Sequence, residues 1–230
     1  MAHKEMTQKE KALNKLASFL QKGRIYFIIL LAAIVAVIIF FAVYNEVRKK
    51  VIEKSTLLSE AVEKDYSAWL TELDEEKRTG METGMFEEID RIAEKYPNQY
   101  AAQRGLFIKG LVYAEKKQWD DALAAFLKVS EKFPSSYLSP VSLNNAAVAA
   151  EENKENAKAL EIYEKIRKDY EKTFPDLPKI VFSIGRLQEE LGKSEEALQS
   201  YSDLVDNYAG NSWTNLARNR IIALKLLTTS

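Results

Sequence analysis

Lys95-Tyr96-Pro97-Asn98-Gln99-Tyr100-Ala101-Ala102 returns, with substitutions, as Lys132-Phe133-Pro134-Ser135-Ser136-Tyr137-Leu138-Ser139, 37 residues further on. Each copy opens with a lysine, an aromatic residue and a proline, and proline ends a helix that arrives from its N-terminal side. A second pattern keeps the same period. Ala122/Phe126, Ala159/Tyr163 and Ala197/Tyr201 are each four residues apart, on one helical face, and the pairs are spaced 37 and 38 residues from each other. A period of that size predicts a stack of helical hairpins.

Outward from these anchors, each unit reads the same way. In the first, Leu106, Gly110 and Tyr113 fall on one helix, Trp119-Asp120 turns the chain, and Ala122, Phe126 and Pro134 mark the second helix and its stop. The second unit offers Leu143, Ala147, Ala159 and Tyr163; the third offers Val181, Gly185, Gly192, Ala197 and Tyr201. Small residues at Gly110, Ala147 and Gly185 let two helices approach closely, and the aromatic rings fill the space between hairpins. Lys109 stands where an apolar residue is expected, and the link around Phe174–Pro178 is longer than its counterparts.

These residues resemble the tetratricopeptide repeat, a helix–turn–helix unit of about 34 residues. The resemblance implies an all-α fold: a solenoid of helical hairpins following an N-terminal transmembrane helix. Three repeats cover residues 97–210. Residues 45–96 are expected to form a helical stalk and a degenerate first repeat, with Trp69 and Leu73 on one helix and Met85 and Ile89 on the next. Residues 211–230, where Trp213, Leu216, Ala217, Ile221 and Leu224 keep a 3.6-residue period, are expected to cap the array. In such repeats the second, fifth, ninth and twelfth positions line a concave groove. Carried over, these positions include Arg104, Phe107, Leu111, Asn144, Val148, Lys179, Phe182 and Arg186 as candidate protein-binding residues. Two phenylalanines with basic and amide neighbours suit an apolar segment and its backbone or carboxylate; packing between helices is the competing role for Phe107 and Phe182.

Ile25 to Tyr44 is twenty consecutive apolar residues without a charge, Gly or Pro. A helix of that length spans roughly 30 Å, the thickness of a bilayer's hydrocarbon core. The stretch exceeds a signal-peptide core and lacks a small-x-small exit, so an uncleaved anchor is expected. Basic residues within twenty positions number five on each side, which leaves the charge rule tied. Residues 1–24 carry six basic and two acidic groups, whereas residues 45–230 carry 27 basic and 32 acidic ones. That asymmetry favours a short basic cytoplasmic tail at 1–24, a span at 25–44, and an exported body in the bacterial periplasm. Thr7 and Glu10 have capping-box spacing, and Leu13, Leu16, Ala17 and Leu20 then share a face, so the tail reads either as a basic amphipathic segment on the inner leaflet or as a solvated tail whose positive charge sets orientation.

The chain has no cysteine, and its one histidine is His3. Disulfides, thiolate metal sites and cysteine or Ser–His nucleophiles are therefore excluded from the body. No glycine-rich phosphate loop appears, and Glu151-Glu152 and Glu189-Glu190 read as solvated faces. The expectation is a non-enzyme with no cofactor, no metal, no small-molecule substrate and, given an acidic body, no nucleic acid. The layout resembles the bacterial inner-membrane tetratricopeptide proteins that are ancillary subunits of the Sec translocon. That resemblance implies protein partners: the translocon, periplasmic chaperones or exported clients. The alternative is a scaffold subunit of an envelope machine, such as a secretion, flagellar or outer-membrane assembly apparatus.

Overall fold

The computed structural model describes residues 7–228, and His3 lies outside them. Two compact units divide the chain, Met1–Glu53 and Lys54–Ser230. All regular structure among the described residues is helical, in the order α1 (Gln8–Thr71), α2 (Glu75–Lys95), α3 (Tyr100–Glu115), α4 (Trp119–Lys132), α5 (Leu138–Glu152), α6 (Asn156–Tyr170), α7 (Leu177–Glu190), α8 (Ser194–Asn207) and α9 (Ser212–Thr228).

From Gln8 on, the first unit is the N-terminal part of α1. Its start is fixed by the expected reciprocal cap: the Thr7 amide donates to Glu10 Oε2 at 2.7 Å, and the Glu10 amide donates to Thr7 Oγ1 at 3.4 Å. Residues 25–44 are exposed throughout, and their stretch is long and apolar enough to cross a membrane.

In the second unit, α1 turns a buried stripe of Ser55, Ser59, Val62 and Trp69 inward. Val62 and Trp69 join Met85, Ile89 and Ile92 of α2 in one apolar cluster that continues into α3 through Ala101, Ala102, Ile108 and Val112. The Arg78 guanidinium lies 4.1 Å over the Trp69 ring. Leu73 is not on the first helix of this leading hairpin. The Glu72 carboxylate accepts from the Leu73 and Asp74 amides, and Asp74 then caps α2 through the Lys77 amide, so the chain turns before Leu73 can be buried. Leu73 is 96% exposed.

The three repeat hairpins, α3–α4, α5–α6 and α7–α8, close by one device. Lys117, Lys154 and Gly192 adopt left-handed backbone at φ 58°, 63° and 74°, and these positions keep the repeat spacing. In each, the left-handed residue's amide bonds the carbonyl three residues back, at 2.9 Å in all three turns. The next amide reaches back five residues: Gln118 to Tyr113, Glu155 to Ala150, and Lys193 to Gln188. This pattern satisfies the last carbonyls of the first helix. The turn therefore falls at 116–118 rather than at Trp119-Asp120, and Trp119 is the first residue of α4.

Inside the α3–α4 and α7–α8 hairpins a ring of the second helix lies on a glycine of the first. A Cβ on Gly110 would come within 2.6 Å of the Phe126 ring, and one on Gly185 within 2.6 Å of the Tyr201 ring. Ala147 and Tyr163 hold the same sixteen-residue spacing, and both are buried. The rings thus sit within hairpins as well as bordering the next one. Lys109 fits its half-buried place because its ammonium binds Asp90 at 2.7 and 3.0 Å and lies 4.8 Å from the Phe86 ring centroid. In α9, Ala217 and Leu224 are buried, but Leu216 is 46% exposed and stands off the sealing face.

Two substitutions of opposite sign check this packing by chemical denaturation of residues 54–230. Ala159→Asp places a carboxylate at a fully buried site and should cost about 3 kcal/mol or more. Gly80→Ala, inside α2 with nothing within 4 Å of its new methyl, should stabilise by about 0.5–1 kcal/mol.

Candidate protein-binding groove

The first helices α3, α5 and α7 bring the expected groove residues into one register, but the eight differ in availability. Phe107 is only 6% exposed and packs on Phe126, with ring centroids 5.5 Å apart, so it belongs to the core and offers no surface to a partner. Phe182 is half-buried between Tyr201 and Trp213, at 5.5 and 5.3 Å, and serves mainly to dock α9. Leu111 and Asn144 are half-buried, Lys179 likewise, and Val148 is 39% exposed. Asn144 lends its Nδ2 to Asn145 Oδ1 at 3.5 Å, while its own Oδ1 is enclosed and has no hydrogen-bond donor.

The two arginines are engaged with carboxylates of their own chain. Arg104 Nε donates to Glu63 Oε1 at 2.7 Å, linking α3 to α1. Arg186 binds Glu151 of α5 and Glu190 of its own helix. Glu151 and Glu189, expected on a solvated face, are instead partly buried and hydrogen-bonded. Tyr163 donates to Glu151 at 2.9 Å, and Tyr201 donates to Glu189 at 2.5 Å. Arg220 of α9 closes the second of these networks by binding Glu189 through both Nε and Nη2. The motif is thus a tyrosine on the second helix, a glutamate twelve residues earlier on the first, and an arginine from the next first helix. The α3–α4 hairpin lacks it, since Phe126 carries no hydroxyl and Ala114 stands twelve residues before it.

These networks set the local electrostatics. Burial, reinforced by the adjacent carboxylates, pushes the Tyr163 and Tyr201 phenols well above their ordinary range, so both remain protonated donors. For Glu189, burial favours the neutral acid, but the hydrogen bonds from Arg220 and Tyr201 outweigh it and hold its pKa below the ordinary 4.5. At the far edge, Tyr100 and Tyr137 stack with centroids 6.3 Å apart and bond through their hydroxyls at 3.1 Å. Burial and that partner raise Tyr100 to about 12.

A cavity of about 660 Å³ opens beside this edge, lined among others by Pro134, Tyr137, Pro140, Val141, Tyr170 and Phe174. Periodicity did not reveal it, because its walls join the links between hairpins, at Pro134, Tyr137 and Phe174, to the ends of α5 and α6 that flank them. The aromatic and proline residues of those links were the signal available. Among the described residues no group of three or more His, Asp or Glu side chains is placed to hold a metal ion.

Two measurements follow from this geometry. Phe107→Ala should destabilise by about 3–5 kcal/mol, as expected for a core phenylalanine, and not merely weaken binding. Because Glu189 titrates lower when folded than unfolded, its contribution is complete above about pH 4.5 and disappears as pH falls through the folded value. Acid titration of melting temperature should therefore be shallower for Arg220→Gln than for the parent.

Comparison with known proteins agrees with this architecture. A family model described as "Tetratricopeptide repeat" matches residues 109–178 and again 144–212. A "TPR repeat-containing protein" of Treponema pallidum (strain Nichols) is 29% identical over 115 residues, which is 50% of this chain and 47% of that protein. The chain thus spans about half the length of the curated relative it matches. A solved structure titled MamA AMB-1 is 18% identical, covering 70% of this chain and 92% of that one, with a TM-score of 0.45. Residues 109–212 match the model of the tetratricopeptide repeat, and the described residues form an all-helical fold with hairpins of tetratricopeptide type.

Proposed function

We propose that the protein is a membrane-anchored, non-catalytic adaptor that holds a polypeptide segment on the face shared by α3, α5 and α7. The observation that carries this reading is the middle of that face. Arg104 and Arg186 are engaged with carboxylates of their own chain, while Leu111, Val141, Asn144, Asn145 and Val148 between them are only partly covered. A neutral centre with apolar side chains and two amides suits an apolar stretch in extended form: side chains bury on the valines and leucine, and amides bond the backbone. An engaged Arg186 suits a carboxylate terminus less well, because capturing it would require leaving Glu151.

The anchor is Ile25–Tyr44, and the basic tail against an acidic body supports a cytoplasmic N-terminus with residues 45–230 in the periplasm. In that setting the partners are exported chains, a translocation channel or periplasmic chaperones, and the protein assists translocation or folding of envelope proteins.

Photocrosslinking tests this directly. A photoreactive side chain at Val148 should capture a polypeptide in cells, and one at Glu161, on the exposed side of α6, should not. Val148→Asp should reduce capture several-fold with little change in melting temperature, because the side chain is already 39% exposed. Equal capture from both positions would reject the groove. Recovery of a fixed stoichiometric complex, with no client chains, would favour a scaffold subunit instead.

A further inference from the structure

One part of the molecule has no role in that reading. Between the cap at Thr7–Glu10 and the apolar span, α1 is two-sided rather than uniformly apolar. At 100° per residue, Lys11, Lys15 and Lys22 fall within about 40° of one another. Ala12, Leu13, Leu16, Ala17 and Phe19 occupy an arc of roughly 160° on the other side. Leu13, Leu16 and Phe19 are 64%, 56% and 64% exposed. Lys9 falls on the apolar side at the first turn, where a long stem can carry its ammonium outward. The Leu20 side chain lies outside the described residues. Residues 25–44, in contrast, are apolar all round, the pattern of a segment immersed in hydrocarbon.

We infer that residues 8–22 lie on the surface of an anionic bilayer, their leucines and phenylalanine at the acyl boundary and their lysines on acidic lipid headgroups. This rests on the reading of 25–44 as a membrane span. Charge decides the occupant. Residues 8–24 carry five basic groups against Glu10, and Glu10 is consumed by the cap. A second copy of the same helix would bring its own surplus of positive charge to the contact, whereas phosphatidylglycerol-type headgroups neutralise it. A helix with a charged face and an apolar face belongs in the interfacial plane. Passing from that plane into the span requires a bend, and Gly23 stands between the two segments, where the helix resists bending least.

The full chain has no cysteine, so Leu16→Cys gives a unique attachment point for a polarity-sensitive dye. The labelled protein is reconstituted into vesicles of phosphatidylcholine alone or of phosphatidylcholine mixed with phosphatidylglycerol. Blue-shifted emission is expected on the mixed vesicles, with loss of the shift in a Lys11→Gln/Lys15→Gln/Lys22→Gln variant and weakening at high salt. Identical emission on both vesicles, or a shift that survives the triple variant, would overturn the proposal. So would a shift that grows with protein-to-lipid ratio irrespective of lipid charge, the signature of tail pairing between copies. An alkaline wash and flotation of the same vesicles separates the two readings. Protein that stays embedded while its dye ignores lipid charge defeats only the surface helix; protein that washes away defeats the span and the surface helix together.

Discussion

A ring laid on a missing side chain holds the α3–α4 and α7–α8 hairpins closed, and Ala147 with Tyr163 keeps the same offset in the hairpin between them. Phe126 on Gly110 and Tyr201 on Gly185 approach so closely that even a methyl group on the glycine would overlap the ring. The contact fixes the sixteen-residue offset between first and second helices, and with it the position of the turn. Lys117 and Lys154 accept left-handed backbone at those turns although neither is glycine. Holding them there costs about 1–2 kcal/mol each, which the burial of a complete aromatic ring offsets.

From hairpin to hairpin the coupling changes character. Apolar packing is continuous, and from the α5–α6 hairpin onward the Tyr–Glu–Arg networks at Glu151 and Glu189 also tie each first helix to the next. Partly buried networks of this kind specify an arrangement more than they add stability, because desolvation consumes much of their Coulomb attraction. Arg186, in the first of these networks, and Arg104, paired with Glu63, both bind carboxylates of their own chain, while Leu111 and Asn144 on the first helices stay only partly covered.

Much of this was legible in the sequence, and the limits have physical reasons. The proline stops and the Ala/aromatic pairs recur because every hairpin must bury the same contact, so period and fold class could be read directly. The glutamates could not: Glu151 and Glu189 look like half of a solvated pair until tyrosines twelve residues on and arginines more than thirty residues away are brought beside them. Phe107 shows a second limit. A repeat register places it at a groove position, but in the first hairpin its ring packs against Phe126 and is consumed by the core. Leu73 and Leu216 were misplaced for local reasons. A polar turn around Glu72 and Asp74 ends α1 before Leu73, and no described helix covers Leu216. Position on a helix is periodic, but burial depends on what the next element supplies.

The ring-on-glycine contact makes an unusual demand on a double-mutant cycle between Gly185→Ala and Tyr201→Ala. With the ring present, the added methyl collides with it, and Gly185→Ala should destabilise residues 54–230 by about 1–3 kcal/mol. With the ring gone, alanine's better helix propensity is all that remains, and the same change should stabilise by up to about 1 kcal/mol. Denaturant unfolding of the four proteins should therefore show a reversal of sign. Additive effects, with Gly185→Ala equally harmful in both backgrounds, would contradict the contact on which the hairpin register depends.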